Sequence, residues 1–260
     1  MHELQANSIR CWFREFVERF RQDDGSSHPM IELKIGHTAR VATLCRGIAE
    51  GTAWSIPEVL LGESAGWLHD VGRFSQWAEF GTYYDEVSVD HASRGCEVIL
   101  REGVLDVLER EERSRILDAV AFHNRRELPV SAPRSSLGLC RLVRDADKLD
   151  ILDLTYRSLV DGTLCDTQPA LSRELEANPV LLEEIATHRR ASYGNMKTLS
   201  DFVLVSVSWA YDFNYGATAR IVREGGMLSR LASYLPATED VRGVLRDAEA
   251  HLGRLGSAVG

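Results

Sequence analysis

The chain is predicted to be all-α, and three observations carry that prediction. Apolar residues recur at helical spacing through most of its 260 residues. The stretches between them carry helix punctuation, such as Ser55-Ile-Pro-Glu58 and Gly225-Gly226. The one segment with strand-like alternation, Phe202 to Trp209, would have no other strand to pair with.

Taken in order, Ile9, Phe13, Phe16, Val17 and Phe20 sit among Arg and Glu at the spacing of an amphipathic first helix. Gly25 to Pro29 reads as a loop. His37, Val41, Leu44 and Ile48 then fall on one stripe, which places His37 on a buried face. Ser55 and Glu58 have the spacing of a capping box with a Pro in the first turn, so a helix is expected from there toward His69, ending near Gly72. Successive helical residues point about 100° apart, so His69 and Asp70 cannot both aim at one point from mid-helix, whereas at a helix end they can. Arg73, Gln76 and the aromatic run Trp77 to Tyr84 show no clean period and are expected to form a loop over the site, either as an aromatic-packed surface connection or with a role toward substrate.

Asp90 can cap a helix that carries His91, Gly95, Val98 and Ile99 on one side, and Gly95 would let another backbone come close. In Glu111 to His123, Ile116, Val120 and His123 share a stripe. In Leu137 to Leu154, Val143, Asp147, Ile151 and Leu154 point one way, while Asp145 lies about 200° around the helix from Asp147. Asp150, about 60° off, could orient a ligand His. Lys148 could reach a phosphate oxygen or stand as a surface lysine. Further on, Val180 to Arg190 is a short helix, Leu199 to Phe213 fits a helical face better than a strand, and Thr238 to Leu255 turns Val241, Leu245, Ala248 and Leu252 inward.

Composition narrows the function. A net charge of −9 argues against a general nucleic-acid binder, which needs clustered Lys and Arg on phosphates. No apolar run approaches the roughly 18 residues of a membrane span. The start of the chain alternates charged and aromatic residues and does not look like a leader, so a cytoplasmic protein is expected. The 5 cysteines are odd in number and never form a CxxC pair, which suggests reduced core thiols.

His37, His69, Asp70, His91, His123 and Asp147 are therefore metal-ligand candidates carried on the apolar seams of successive helices. A carboxylate inside an apolar run is costly unless its charge is compensated. Nitrogen and carboxylate donors of this kind suit Fe, Mn or Zn. The ordered pattern His37, His69-Asp70, Asp147 resembles the HD superfamily of metal-dependent phosphohydrolases, and Asp145-Ala-Asp-Lys-Leu-Asp150 is similar to its last motif. The resemblance implies an HD helical bundle over about 28–160, with 161–260 as a helical extension of a single all-helical unit. It implies one or two divalent cations, Mg also being possible, and Asp70 bridging to the second where His91 and His123 are present. The cyclic-dinucleotide phosphodiesterase branch usually has two adjacent His where this chain has His123-Asn124.

The expected activity is hydrolysis of a nucleotide or small phosphate ester by metal-activated water, with Asp70, Arg73 and Lys148 as catalytic residues and Arg125 as a further cation. Two alternatives remain open: a di-iron oxygenase, since HD-type oxygenases resemble this chain in having four His and two Asp ligands, and a metal-binding regulatory module without turnover.

Overall fold

Helix formation follows the apolar stripes. The computed structural model describes residues 1–22, 24–168, 170–174 and 176–257, and among these no strand forms; only two isolated bridges occur, Arg21–Ser27 and Ser172–Thr198. The chain forms two compact units, Met1–Asp147 and Lys148–Gly260.

The first unit contains α1 (Glu3–Glu18), α2 (Pro29–Gly51), α3 (Ile56–Leu68), α4 (Val71–Phe80), α5 (His91–Arg101) and α6 (Arg110–Phe122), followed by α7 (Arg134–Val160), which continues into the second. The α1 stripe packs on α3: Phe13 stands 5.2 Å from the Trp67 ring and 5.8 Å from Phe74, ring centre to ring centre. Each large side chain so buried contributes about 1.5–3 kcal/mol. Helix α2 begins with Pro29 in its first turn and the His28 side chain accepting from Met30 N at 3.2 Å. On its predicted stripe His37, Val41 and Ile48 are buried, and Leu44 is half-buried.

Two close backbone approaches position everything that follows. A Cβ on Gly66 would sit 2.7 Å from Ala42 Cα, so α3 can lie against α2 only because that side chain is missing. A Cβ on Gly72 would sit 2.1 Å from His91 O and 2.6 Å from Gly95 N, so α4 and α5 meet in the same way; the glycine this contact requires is Gly72, since a Cβ on Gly95 would stand an ordinary 3.5 Å from Gly72 N. The obstructing atoms at Gly72 are backbone and cannot swing aside. Gly72→Ala should therefore destabilise the protein by about 1–3 kcal/mol, as overpacking does, measured by denaturant unfolding. An unchanged midpoint would show that α4 and α5 can part without loss.

Three local expectations are corrected. The segment from Arg73 to Phe80 is not a loop: α4 runs to Phe80, with Val71, Phe74 and Gln76 buried, and ends at Gly81, whose φ is 64°, leaving only 81–84 of the expected loop outside a helix. Phe74 and Gln76 on one side of so short a helix leave too little apolar periodicity to read. Gly72 accordingly lies inside α4, and α3 already ends at Leu68. Ser55 does stand at the start of α3, but its side chain makes no capping bond, and Glu58 instead pairs with Arg115 at 2.8 Å. Of the cysteines, Cys45 and Cys140 are buried thiols, while Cys11 is exposed.

The second unit contains α8 (Leu164–Thr167), α9 (Pro179–His188), α10 (Leu199–Ser208), α11 (Gly216–Glu224), α12 (Met227–Ala232) and α13 (Glu239–Ser257). Helix α13 packs on α9 and α11, burying Val241, Val244, Ala248 and Leu252; Leu245, expected inward, is half-buried. The Val-Ser alternation of 202–209 is helical, as the apolar face predicted. Thr198 Oγ1 accepts from Asp201 N at 3.0 Å and Asp201 Oδ2 accepts from Thr198 N at 3.1 Å, a reciprocal cap that starts the helix. Every residue from Ser200 to Ser208 is buried, so tertiary packing outweighs the strand propensity of Val203, Val205 and Val207. No described helix is long and apolar enough to cross a membrane.

Candidate metal centre

The six candidate ligands all lie in the first unit, and the fold brings them together from six helices or helix ends. His37 projects from mid-α2, where the Gly66 contact with Ala42 holds α3 close. His69 caps the C-terminus of α3 and Asp70 the N-terminus of α4. Asp70 has φ −109° and ψ 14°, so the helix breaks there, and this break lets two successive residues face one point. His91 is the first residue of α5, whose N-cap is Asp90, accepting from Ser93 N at 3.0 Å. His123 caps the C-terminus of α6. The end of α6 is tied to α7 by buried Arg144, which donates to the carbonyls of His123, Arg125 and Arg126.

The two oxygens of Asp70 address different His pairs. Oδ2 is 3.5 Å from His37 Nε2 and 3.6 Å from His69 Nε2; Oδ1 is 3.5 Å from both His91 Nε2 and His123 Nε2. Two groups able to hold a cation result, His37–His69–Asp70 and Asp70–His91–His123, all buried. Asp147 joins the first, its Oδ1 being 3.1 Å from His37 Nε2 and 3.9 Å from His69 Nε2. Asp145 and Asp150, on the same helix, are both buried.

The hydrogen bonds on the far side of the rings test whether a cation fits. His69 Nδ1 is 2.8 Å from Gly66 O and His123 Nδ1 is 2.8 Å from Val120 O. A carbonyl only accepts, so Nδ1 carries the proton and Nε2 of the neutral ring is a lone pair. Burial pushes the His69 and His91 rings down to about 4, so both are neutral near pH 7. Nε2 of His91 and of His123 are 3.0 Å apart, and Nε2 of His69 and of His37 are 3.3 Å apart. The inward Nε2 lone pairs of His69 and His91 each lie this close to a neighbouring ring nitrogen, an arrangement that a shared cation would turn into ligation. The residues fit divalent metal.

Burial alone would raise the Asp70 carboxyl, but the Lys34 ammonium, 2.7 Å from Oδ2, and the surrounding His rings outweigh it and hold the group well below the usual carboxylate range. Burial likewise opposes ionisation of Asp147, and its hydrogen bond to His37 prevails, leaving the carboxyl strongly lowered. Both are anions wherever a metal would compete with protons.

The expected cations are placed differently from one another. Arg73 Nε is 3.7 Å from Asp70 Oδ1, while its Nη1 donates to Asp85 Oδ1 at 2.8 Å. Arg125 pairs with Asp90 at 3.1 Å. Lys148 pairs with Asp212 at 2.9 Å, both in the second unit. Asn124 turns its amide nitrogen toward Asp90 at 3.4 Å and Asp85 at 3.5 Å.

Three residues escaped the sequence reading. Lys34 precedes His37 by three, one turn along the same face, which is a spacing that could have revealed it. Tyr83 lies between two cations, with Lys34 Nζ 5.6 Å and the Arg73 guanidinium 5.8 Å from its ring centre. Asp85, 2.6 Å from His91 Nδ1, belongs to an aperiodic connection that carries no pattern.

Residues 35–152 match the family model of the HD domain, a span that includes all six candidate ligands. No curated protein and no solved structure matches the chain. HD domains bind divalent metals and constitute a superfamily of metal-dependent, hydrolase-type proteins. Its motif order, its helical fold and its paired His and Asp groups all agree with that match to the HD domain over residues 35–152.

Proposed function

We propose that this protein is a metal-dependent phosphohydrolase acting on a nucleotide or another small phosphate ester. His37, His69, Asp70 and Asp147 would hold one divalent cation, and Asp70, His91 and His123 a second; Fe, Mn, Zn or Mg would be compatible with these donors. Such cations, when bound, polarise a phosphoryl oxygen and lower the pKa of bound water toward neutrality.

The observation that carries this reading is the division of one buried carboxylate between two His pairs, each oxygen 3.5–3.6 Å from two Nε2 atoms. The chain's own groups supply the remainder. Backbone carbonyls of Gly66 and Val120 hold His69 and His123 with Nε2 inward. Lys34, with a side chain 16% exposed beside Asp70, can meet a substrate's negative charge from the solvent side. Arg73 lies against the other Asp70 oxygen and contributes positive charge there, held rigidly by Asp85. Lys148, the third proposed catalytic residue, would have to exchange its Asp212 partner for a phosphate oxygen.

The same four His and two Asp would also serve a di-iron oxygenase, and the two chemistries differ in what they demand of the metal. Hydrolysis needs a Lewis acid, whereas oxygen activation needs a redox-active iron pair. Phosphate release from a panel of nucleotides and phosphate esters is expected under strict anaerobiosis, persisting when Mn replaces iron. Turnover that appears only with iron and oxygen, with oxygen consumed in proportion to product, would replace the hydrolase reading by the oxygenase one.

A further inference from the structure

His91 differs from the other ligand histidines in what holds its ring. His69 and His123 sit at helix C-termini and bond through Nδ1 to the carbonyl three residues earlier. His91 is the first residue of α5, so no preceding helical turn offers it a carbonyl. Its Nδ1 meets a side chain instead, Asp85 Oδ2, at 2.6 Å.

Asp85 is itself anchored from a different element. Its Oδ1 accepts from Arg73 Nη1 at 2.8 Å and from Gln76 Nε2 at 2.9 Å, both on α4. Gln76 is fully buried, accepts from Arg73 Nη1 on its own oxygen at 2.9 Å, and donates its second amide hydrogen toward Ser88 Oγ at 2.8 Å, with Val89 O 3.1 Å away. The carboxylate is thus clamped between α4 and α5, 30% exposed at its outer edge.

We propose that Asp85 is a positioning residue for the Asp70–His91–His123 cation position: it fixes the His91 proton on Nδ1 and turns Nε2 toward Asp70 and His123. The assignment rests on the reading of His91 and His123 as metal ligands. A carboxylate partner also makes the imidazole a stronger donor than a carbonyl partner would. This position has three protein donors against four at the His37–His69 position, so its occupancy depends more on how well each donor is aimed. The Tyr83–Val89 connection, through Asp85, thereby controls whether the protein holds one cation or two.

The full chain, stripped with chelator and titrated with Mn2+ alone, tests this by metal content and by electron paramagnetic resonance, which distinguishes an exchange-coupled pair from a single ion. The parent protein should bind two Mn2+ per chain. In Asp85→Ala the second should bind about 10–100-fold more weakly, with the coupled signal giving way to that of a single ion and the first Mn2+ retained. Asp85→Asn keeps an oxygen acceptor for Nδ1–H but loses the charge, so an intermediate affinity is expected. If Asp85 only stabilised the connection, Asp85→Ala would weaken both positions equally and Asp85→Asn would not lie between; that result, or unchanged binding of both ions, overturns the assignment. A parent protein that binds no Mn2+ would instead overturn the metal reading, and the assignment with it.

Discussion

Asp70→Ala is expected to empty both cation positions at once, because its two oxygens are the one feature the two His groups share. Losing metal removes several kcal/mol of charge stabilisation from the transition state, and at about 1.4 kcal/mol per tenfold phosphate release should fall on the order of a thousandfold or more. The substitution also strips Lys34 of its partner at 2.7 Å. With a lysine side chain 16% exposed, water can take over part of that role, so the fold should survive. Metal content by elemental analysis and a circular dichroism melt separate the two effects. A folded Asp70→Ala protein that keeps one full equivalent of metal would show that Asp70 does not serve both positions.

Asp147→Ala should abolish activity to a similar degree by a narrower route. Among the described residues its Oδ1 approaches the ring nitrogens of His37 and His69, so the first position is lost while Asp70, His91 and His123 remain in place. Asp145→Ala is the internal comparison. Asp145 is buried on another face of the same helix, so its loss should cost stability and leave metal content close to the parent's. Equal loss of metal in the two variants, or the reverse order, would mean that α7 presents a different face to the His37–His69 pair.

Much of the helical architecture was readable from periodicity because burial of a stripe is the dominant local signal. Ile9 to Phe16, His37 to Ile48 and Ile116 to Val120 each report their inward face directly. The candidate ligands stood out for the same reason: a His or Asp standing on an apolar stripe contradicts its surroundings. Helix geometry alone also separated Asp147 from Asp145.

What the sequence determined by itself was therefore the all-helical class, the six polar residues set into apolar seams, and the order that marks an HD domain. What only the tertiary structure decided was how those seams meet. That Asp70 divides its oxygens between two His pairs depends on a break between α3 and α4 and on backbone contacts at Gly66 and Gly72, where a methyl group would sit 2.7 Å and 2.1 Å from its nearest neighbour. That Lys34 compensates Asp70, and that Asp85 holds His91, depends on side chains separated by 36 and 6 positions and joined across helices. Periodicity is a property of one element, and it records which face is buried. The partner of a buried charge is set by which elements pack together, so it becomes visible only when the chain is folded.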